Sequence, residues 1–75
     1  MKFIEITGRQ LRGIVNDGEF TLADLSAAAI SDDTILRVNE QGDLEVRRRD
    51  RWDIVGGLLG NYEVRLQKIT GLDFA

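Results

Sequence analysis

The segment 34–48 constrains the fold of this chain more than any other, because it predicts a β-hairpin with a single register. Two runs of alternating apolar and polar residues, 34–39 and 43–48, flank a three-residue loop that ends in Gly42. Glycine at that position supplies the left-handed conformation that such loops need. The loop sets the cross-strand pairs Leu36–Val46, Val38–Leu44 and Arg37–Glu45. Two apolar pairs then share one face and an ion pair lies on the other, so a slip by one residue would break all three pairs.

The N-terminal segment predicts another hairpin. Gly8 and Arg9 suit the two central positions of a type II′ turn, because glycine accepts a positive φ at the first of them. The resulting cross-strand pairs are Ile6–Leu11 and Glu5–Arg12. One pair is apolar and the other has opposite charges, so the two faces of the predicted hairpin agree with its turn.

Between the hairpins, a short helix is predicted from Leu22 to about Ala29, with Thr21 as the residue whose side chain caps its start. A competing interpretation extends the first hairpin, because Val15 can pair with Phe20 across an Asp-Gly turn. That pairing would add a short third strand near Phe20.

The last third of the chain predicts a helix, because its apolar residues recur at helical spacing within an arc about 100° wide. These residues are Val55, Leu58, Leu59, Tyr62, Leu66 and Ile69. Asp53 can cap an early start. Each glycine inside a helix costs about 1 kcal/mol relative to alanine, so a second interpretation starts the helix at Asn61 and leaves the glycines in a loop. The sequence leaves both starts open. Gly71 marks the end of the helix.

Together these elements predict a single α+β domain over residues 1–75 with the order ββαββα. Two antiparallel hairpins form a small sheet, and the long C-terminal helix packs on its apolar face.

The composition excludes several classes of function. The chain contains no Cys and no His, so it lacks thiolate ligands, the commonest transition-metal ligand and the commonest general base. The carboxylates show neither catalytic pairing nor the spacing of a calcium loop. Apolar runs are far shorter than the roughly 20 residues of a membrane span. We expect a cytoplasmic protein that is not an enzyme and has no catalytic residues, metal, cofactor or membrane segment.

A run rich in arginine is the first candidate for a binding site. It comprises Arg47, Arg48, Arg49 and Arg51. Guanidinium groups match phosphate and carboxylate geometry, and the neighbouring Trp52 can stack on a base. The alternative is a solvated strand face in which Arg51 pairs with Asp50 or Asp53. The formal net charge of −3 makes nucleic acid an unlikely partner.

Small residues of the predicted C-terminal helix form the second candidate. Gly56, Gly57, Gly60 and Val64 fall on the helix face opposite the apolar stripe, if the helix starts early. Such a smooth strip lets another backbone approach closely. The sequence therefore predicts a protein-interaction module that self-associates or binds a protein partner through this face. Its alternative function is nucleic-acid binding by Arg47–Arg51.

Overall fold

The computed structural model describes residues 2–15 and 22–74, which form a four-stranded antiparallel sheet and three helices. The strands are β1 (Phe3–Thr7), β2 (Ile35–Asn39), β3 (Asp43–Arg47) and β4 (Trp52–Gly57), and they lie side by side in that order. The helices are α1 (Gly8–Ile14), α2 (Leu22–Ala27) and α3 (Tyr62–Thr70). The α+β class and the antiparallel sheet are confirmed. The predicted order ββαββα is not, since the elements follow one another as βααβββα.

The hairpin of β2 and β3 has the predicted register. Its pairs are Leu36–Val46, Arg37–Glu45 and Val38–Leu44. Gly42 adopts the expected left-handed conformation, with a φ of 86°. The side-chain oxygen of Asn39 accepts hydrogen bonds from the N–H groups of Gln41 and Asp43, at 2.9 and 3.0 Å. This side chain therefore closes the loop and helps to fix the register of both strands.

The predicted N-terminal hairpin is wrong, because the chain enters a helix at Gly8. Thr7 and Gln10 form a capping box, a local signal that outweighs the turn. The Thr7 hydroxyl accepts from the Gln10 N–H at 3.2 Å, and the Gln10 side chain accepts from the Thr7 N–H at 2.9 Å. Leu11 and Ile14, one helical turn apart, are then buried in the core instead of pairing across a hairpin.

β1 pairs with β2 instead. The pairs on the two faces are Ile4–Val38 and Ile6–Leu36 on one side, and Glu5–Arg37 on the other. The junction between β1 and α1 depends on Gly8, whose N–H donates to the Thr34 carbonyl at 2.9 Å. A Cβ atom at residue 8 would lie 1.7 Å from the Ser31 carbonyl oxygen. Only glycine lets these two backbone segments approach so closely.

The C-terminal helix starts after Asn61, so the later of the two predicted starts is the observed one. Residues 54–57, which a helix capped by Asp53 would have contained, belong to β4, and β4 pairs with β3. A register shift in this pairing leaves Val55 as an extra residue between Ile54 and Gly56, as in a β-bulge. Asp53 accordingly lies in a strand and caps no helix.

α2 corresponds to the predicted short helix, although it ends at Ala27 rather than near Ala29. Leu25 and Ile30 anchor this segment in the core. The predicted cap at Thr21 and the alternative strand near Phe20 lie outside the described residues.

The hydrophobic core lies on one face of the sheet. It consists of Ile4, Ile6, Leu11, Ile14, Leu25, Ile30, Leu36, Val38, Leu44, Val46, Leu58 and Leu66. The strand members of this cluster are the alternate residues of β1, β2 and β3, and the others come from the helices and the segments beside them. The described helices therefore cover this single face, and the sheet directs its remaining side chains to the opposite side.

We expect Gly8→Ala to destabilise the chain by about 3 kcal/mol, because overpacking against the Ser31 carbonyl must displace backbone. Gly13→Ala is the matched control on the same helix. Its Cβ would meet only the mobile end of the Ile69 side chain, at 3.2 Å, and the change should stay within about 1 kcal/mol. Urea denaturation followed by circular dichroism measures both. Equal stabilities of the two variants would contradict the close approach at Gly8.

Candidate binding face of the sheet

The face of the sheet that the described helices leave uncovered is the candidate site, and we call it the open face. Its residues are Phe3, Glu5, Ile35, Arg37, Glu45, Arg47, Trp52 and Ile54. Three of its apolar side chains are solvent-exposed: Phe3 at 37%, Ile35 at 39% and Ile54 at 70%. An exposed aliphatic residue on its own is ordinary, but several on one sheet face form a surface suited to contact with another molecule.

Arg37 organises the open face. Its Nη2 and Nε atoms donate to Oε1 of Glu45 at 2.9 and 3.3 Å. Its guanidinium carbon also lies 3.8 Å from the centre of the Phe3 ring and 4.2 Å from that of the Trp52 ring. Contacts of a guanidinium with aromatic faces contribute about 0.5–2 kcal/mol each, depending on exposure. The four residues come from four different strands, so this one side chain links the whole width of the sheet.

The Glu45 carboxylate requires this partner. Glu45 is only 9% exposed, although it lies on the open face. Removing a carboxylate from water is unfavourable unless an opposite charge and hydrogen bonds compensate for the lost hydration. The two hydrogen bonds from Arg37 provide that compensation and hold the guanidinium in one orientation.

The arginine-rich run forms the turn between β3 and β4, and we call residues 47–52 the arginine turn. The Arg48 N–H closes it on the Arg51 carbonyl at 2.7 Å. The Arg48 side chain donates to Asp53 at 3.2 Å and to the Ala28 carbonyl at 3.1 Å. Arg51 donates to Asp53 at 2.9 Å and lies 3.7 Å from Asp50. Two of the four arginines are thus engaged by neighbouring acids, as the solvated-strand interpretation predicted for Arg51.

Arg47 and Arg49 differ from their neighbours in the turn. Both are exposed, and neither forms an ion pair with any residue in 2–15 or 22–74. Trp52, the predicted stacking residue, lies beside Arg47 on the open face. The arginine candidates therefore lie at the Trp52 end of the open face. A predicted anion site there would be accessible from this face.

Two shallow depressions adjoin this end of the sheet. One, of about 280 Å³, is lined by Glu5, Ile6, Thr7, Gln10, Ile35 and Arg47. The other, of about 300 Å³, is lined by residues 47–52. Both are at or below the roughly 300–1,000 Å³ of typical small-molecule pockets. Arg47 belongs to both linings and therefore stands between the two depressions.

The glycine candidates do not form the predicted helix face. Gly56 and Gly57 belong to β4, and Gly60 lies in the connection that precedes α3. Val64 is on α3 and is 48% exposed. The correction follows from the later helix start, because strand pairing with β3 satisfies the backbone of residues 52–57 without placing glycines inside a helix.

Sequence reasoning missed Phe3, Ile35, Arg37 and Ile54 as members of a common site. The strand alternation contained part of the signal, since Phe3 and Ile35 are apolar residues at positions that face away from the core. Their proximity to Trp52 depends on the order of strands in the sheet, which a local pattern does not specify.

Comparisons with protein-family models, with curated proteins and with solved structures found no match to this chain. No helix among the described residues is long and apolar enough to cross a bilayer. Within the same residues there is no group of three or more acidic side chains arranged to hold a metal ion. The chemistry of the open face is therefore the basis for assigning a function.

We expect Arg37→Leu to lower the free energy of unfolding by about 2 kcal/mol, because it leaves the Glu45 carboxylate nearly buried without a partner. Adding Glu45→Leu should recover most of this loss, since an apolar pair needs no compensating charge. Urea denaturation monitored by Trp52 fluorescence tests both variants. A single variant as stable as the parent chain would show that the ion pair has no structural role.

The pKa of Asp53 gives a second prediction. The hydrogen bond from Arg51 lowers this pKa below its ordinary value, partial desolvation opposes the shift, and Arg48 reinforces it. A carboxyl group with a lower pKa in the folded chain stabilises the fold above the unfolded pKa of about 3.9. That contribution is lost as the pH falls through the folded pKa.

We therefore expect Asp53→Asn to lower the urea midpoint at neutral pH. The difference from the parent chain should start to shrink as the pH falls below about 4 and should disappear once the pH is below the folded pKa. Parallel urea titrations between neutral and strongly acidic pH measure this. A difference that persists unchanged at acidic pH would mean that the charge of Asp53 is not what stabilises the turn.

Proposed function

We propose that this chain is a non-enzymatic interaction module that binds a segment of a partner protein across the open face. The observation that carries the proposal is the exposure of Phe3, Ile35 and Ile54 on the one sheet face that no described helix covers. Burying such side chains under a partner yields about 25 cal/mol for each Å² of apolar area removed from water.

The ordered arrangement of Phe3 and Trp52 around Arg37 supports binding. Arg37 holds Phe3 and Trp52 by cation–π contacts while Glu45 fixes the guanidinium. Surfaces that are rigid before binding lose less conformational entropy when the complex forms. Aromatic residues and arginine are also the residue types enriched at protein interfaces and among their energetically dominant contacts.

The state of the nearby acids supports a non-catalytic role. General acid–base catalysis uses titratable pairs whose pKa values are shifted apart. The Glu45 carboxylate instead forms an ion pair with Arg37. The lowered pKa of Asp53 keeps the Asp53 carboxylate ionised and unsuited to donating a proton. Both carboxylates have structural partners that explain their positions.

Self-association is the competing proposal, in which a second copy adds to the edge of the sheet at β4. β4 is an edge strand, and Gly56 and Gly57 lie along it rather than on a helix. An edge strand presents unpaired backbone groups to which another chain can add. Sedimentation of the chain alone separates a second copy from a different partner, because only the former changes the mass without added ligand.

A second candidate function is binding of single-stranded nucleic acid. The observation in its favour is that Trp52 and Arg47 are neighbours on the open face, with Arg49 in the adjoining turn. Aromatic rings next to arginines can stack bases and contact phosphates. The net charge of −3 opposes this function, since phosphate recognition is favoured by a basic surface.

Ile54→Glu should weaken binding of peptides selected on the parent chain from a random displayed library by at least about tenfold, because it buries a charge under the partner. Fluorescence anisotropy with labelled peptides measures the affinity. Val64→Glu is the matched control, because it adds the same charge to an exposed β-branched residue on α3. It should leave the affinity within about twofold of the parent value.

The opposite pattern, with loss in Val64→Glu and retention in Ile54→Glu, would move the interaction surface to α3 and overturn the proposal. Circular dichroism of both variants establishes that each remains folded. A mass corresponding to a dimer for the parent chain, lost in Ile54→Glu, would identify a second copy as the occupant.

A further inference from the structure

The arginine turn and the depression beside Ile35 form one continuous surface. Arg47 lines both depressions, so a ligand that contacts its guanidinium reaches the Ile35 side and the turn side together. Ile35 is 39% exposed and provides apolar surface in the first depression. The second is bordered almost entirely by charged side chains. The two depressions therefore suit different chemical groups.

The charge at the second depression is unequally compensated. Asp53 engages Arg48 and Arg51, and Asp50 lies near Arg51. Arg47 and Arg49 have no ion pair among residues 2–15 and 22–74. Their guanidinium groups are accessible donors, and carboxylates match guanidinium geometry with two parallel hydrogen bonds. The Arg48–Arg51 backbone hydrogen bond closes the turn, and the Arg48 side chain donates to the Ala28 carbonyl.

We infer that the partner segment is acidic and bipartite: an apolar side chain seats beside Ile35, and carboxylates further along the segment bind Arg47 and Arg49. This inference rests on the proposed function, since it specifies what the open face recognises. Arg47 is its specificity-determining residue, because it contacts both parts of the segment. An extended peptide directs alternate side chains to one side, which allows the apolar and acidic groups to face the sheet together.

The acidic residues near Arg47 favour a peptide over a nucleic acid. Glu5 lines the first depression, is exposed and has no ion pair among the described residues. A nucleic acid carries a phosphate at every nucleotide and would bring negative charge next to Glu5 as well as next to Arg49. A peptide confines its carboxylates to the end that meets the arginine turn.

The test uses the synthetic peptide Gly-Ile-Gly-Asp-Gly-Asp-Gly, blocked at both ends, titrated into the isotopically labelled chain. Amide resonances of Ile35, Arg47 and Arg49 should shift together, and the fitted affinities should fall about three- to fivefold in Arg47→Gln and in Arg49→Gln. The double variant should lose at least about tenfold. Lys68→Gln, which removes an exposed positive charge from α3, is the matched control and should leave the affinity unchanged.

Two altered peptides and an oligonucleotide show which chemical groups of a ligand are recognised. Replacing the aspartates of the peptide with lysines, or its isoleucine with serine, should weaken binding several-fold if both parts of the segment are recognised. Equal losses in Lys68→Gln and Arg49→Gln would reduce the effect to net charge and overturn the inference. An oligothymidylate that binds more tightly than the peptide and shifts the same resonances would overturn the assignment to a protein partner.

Different experimental results would contradict the acidic partner segment and the open face as the interaction surface. Shifts at Ile54 and Ile35 that persist with unchanged affinity in both arginine variants would retain the open face as the interaction surface and reject the acidic segment. No shift on the open face with this peptide, together with library-selected peptides that map to α3, would reject both.

Discussion

The pairing of β2 with β3 is the constraint on which the rest of the structure depends. Its register sends Leu36, Val38, Leu44 and Val46 to one side and Arg37 and Glu45 to the other. Because side chains alternate strictly along a strand, that choice decides which face the helices cover and which remains open. β1 and β4 then extend this alternation on either side of the central hairpin.

Arg37 shows how one side chain can stabilise the fold and order the open face. Its ion pair compensates a carboxylate that would otherwise be unfavourably desolvated, and the same geometry orders two aromatic rings. Long side chains on a protein surface are usually free to move, whereas the Arg37 side chain contacts Glu45, Phe3 and Trp52. The open face is therefore an ordered surface of the chain alone, with the arginine turn at one end and Ile54 along its edge strand.

The parts of the fold that the sequence predicted correctly are those set by short-range pairing. The β2–β3 register could be predicted because its loop, its apolar pairs and its ion pair agree within fifteen consecutive residues. The prediction of an N-terminal hairpin was wrong because Gly8 suits a tight turn as well as a close approach of two backbone segments. The Thr7–Gln10 capping box was the stronger local signal. The strand that pairs with β1 is β2, which is distant in the sequence, and no local pattern identifies this pairing.

The C-terminal third allowed two interpretations, and the structure has the later helix start. Val55 fits a helical period although it lies in a bulged strand, and only the glycines opposed the early helix. The arginine candidates and Trp52 are neighbours in the chain and lie together at the turn between β3 and β4. Phe3, Ile35 and Ile54 join them through the order of the strands, which is a property of the assembled sheet.

That order has a consequence for how the open face comes into being. β2, β3 and β4 are successive in the chain, so their pairings close short loops at little entropic cost, whereas β1 reaches β2 across both α1 and α2. We expect the three-stranded meander to form first and β1 to dock last. Phe3 therefore reaches Arg37 only when the sheet is complete, and a partly folded chain would lack this contact across the open face.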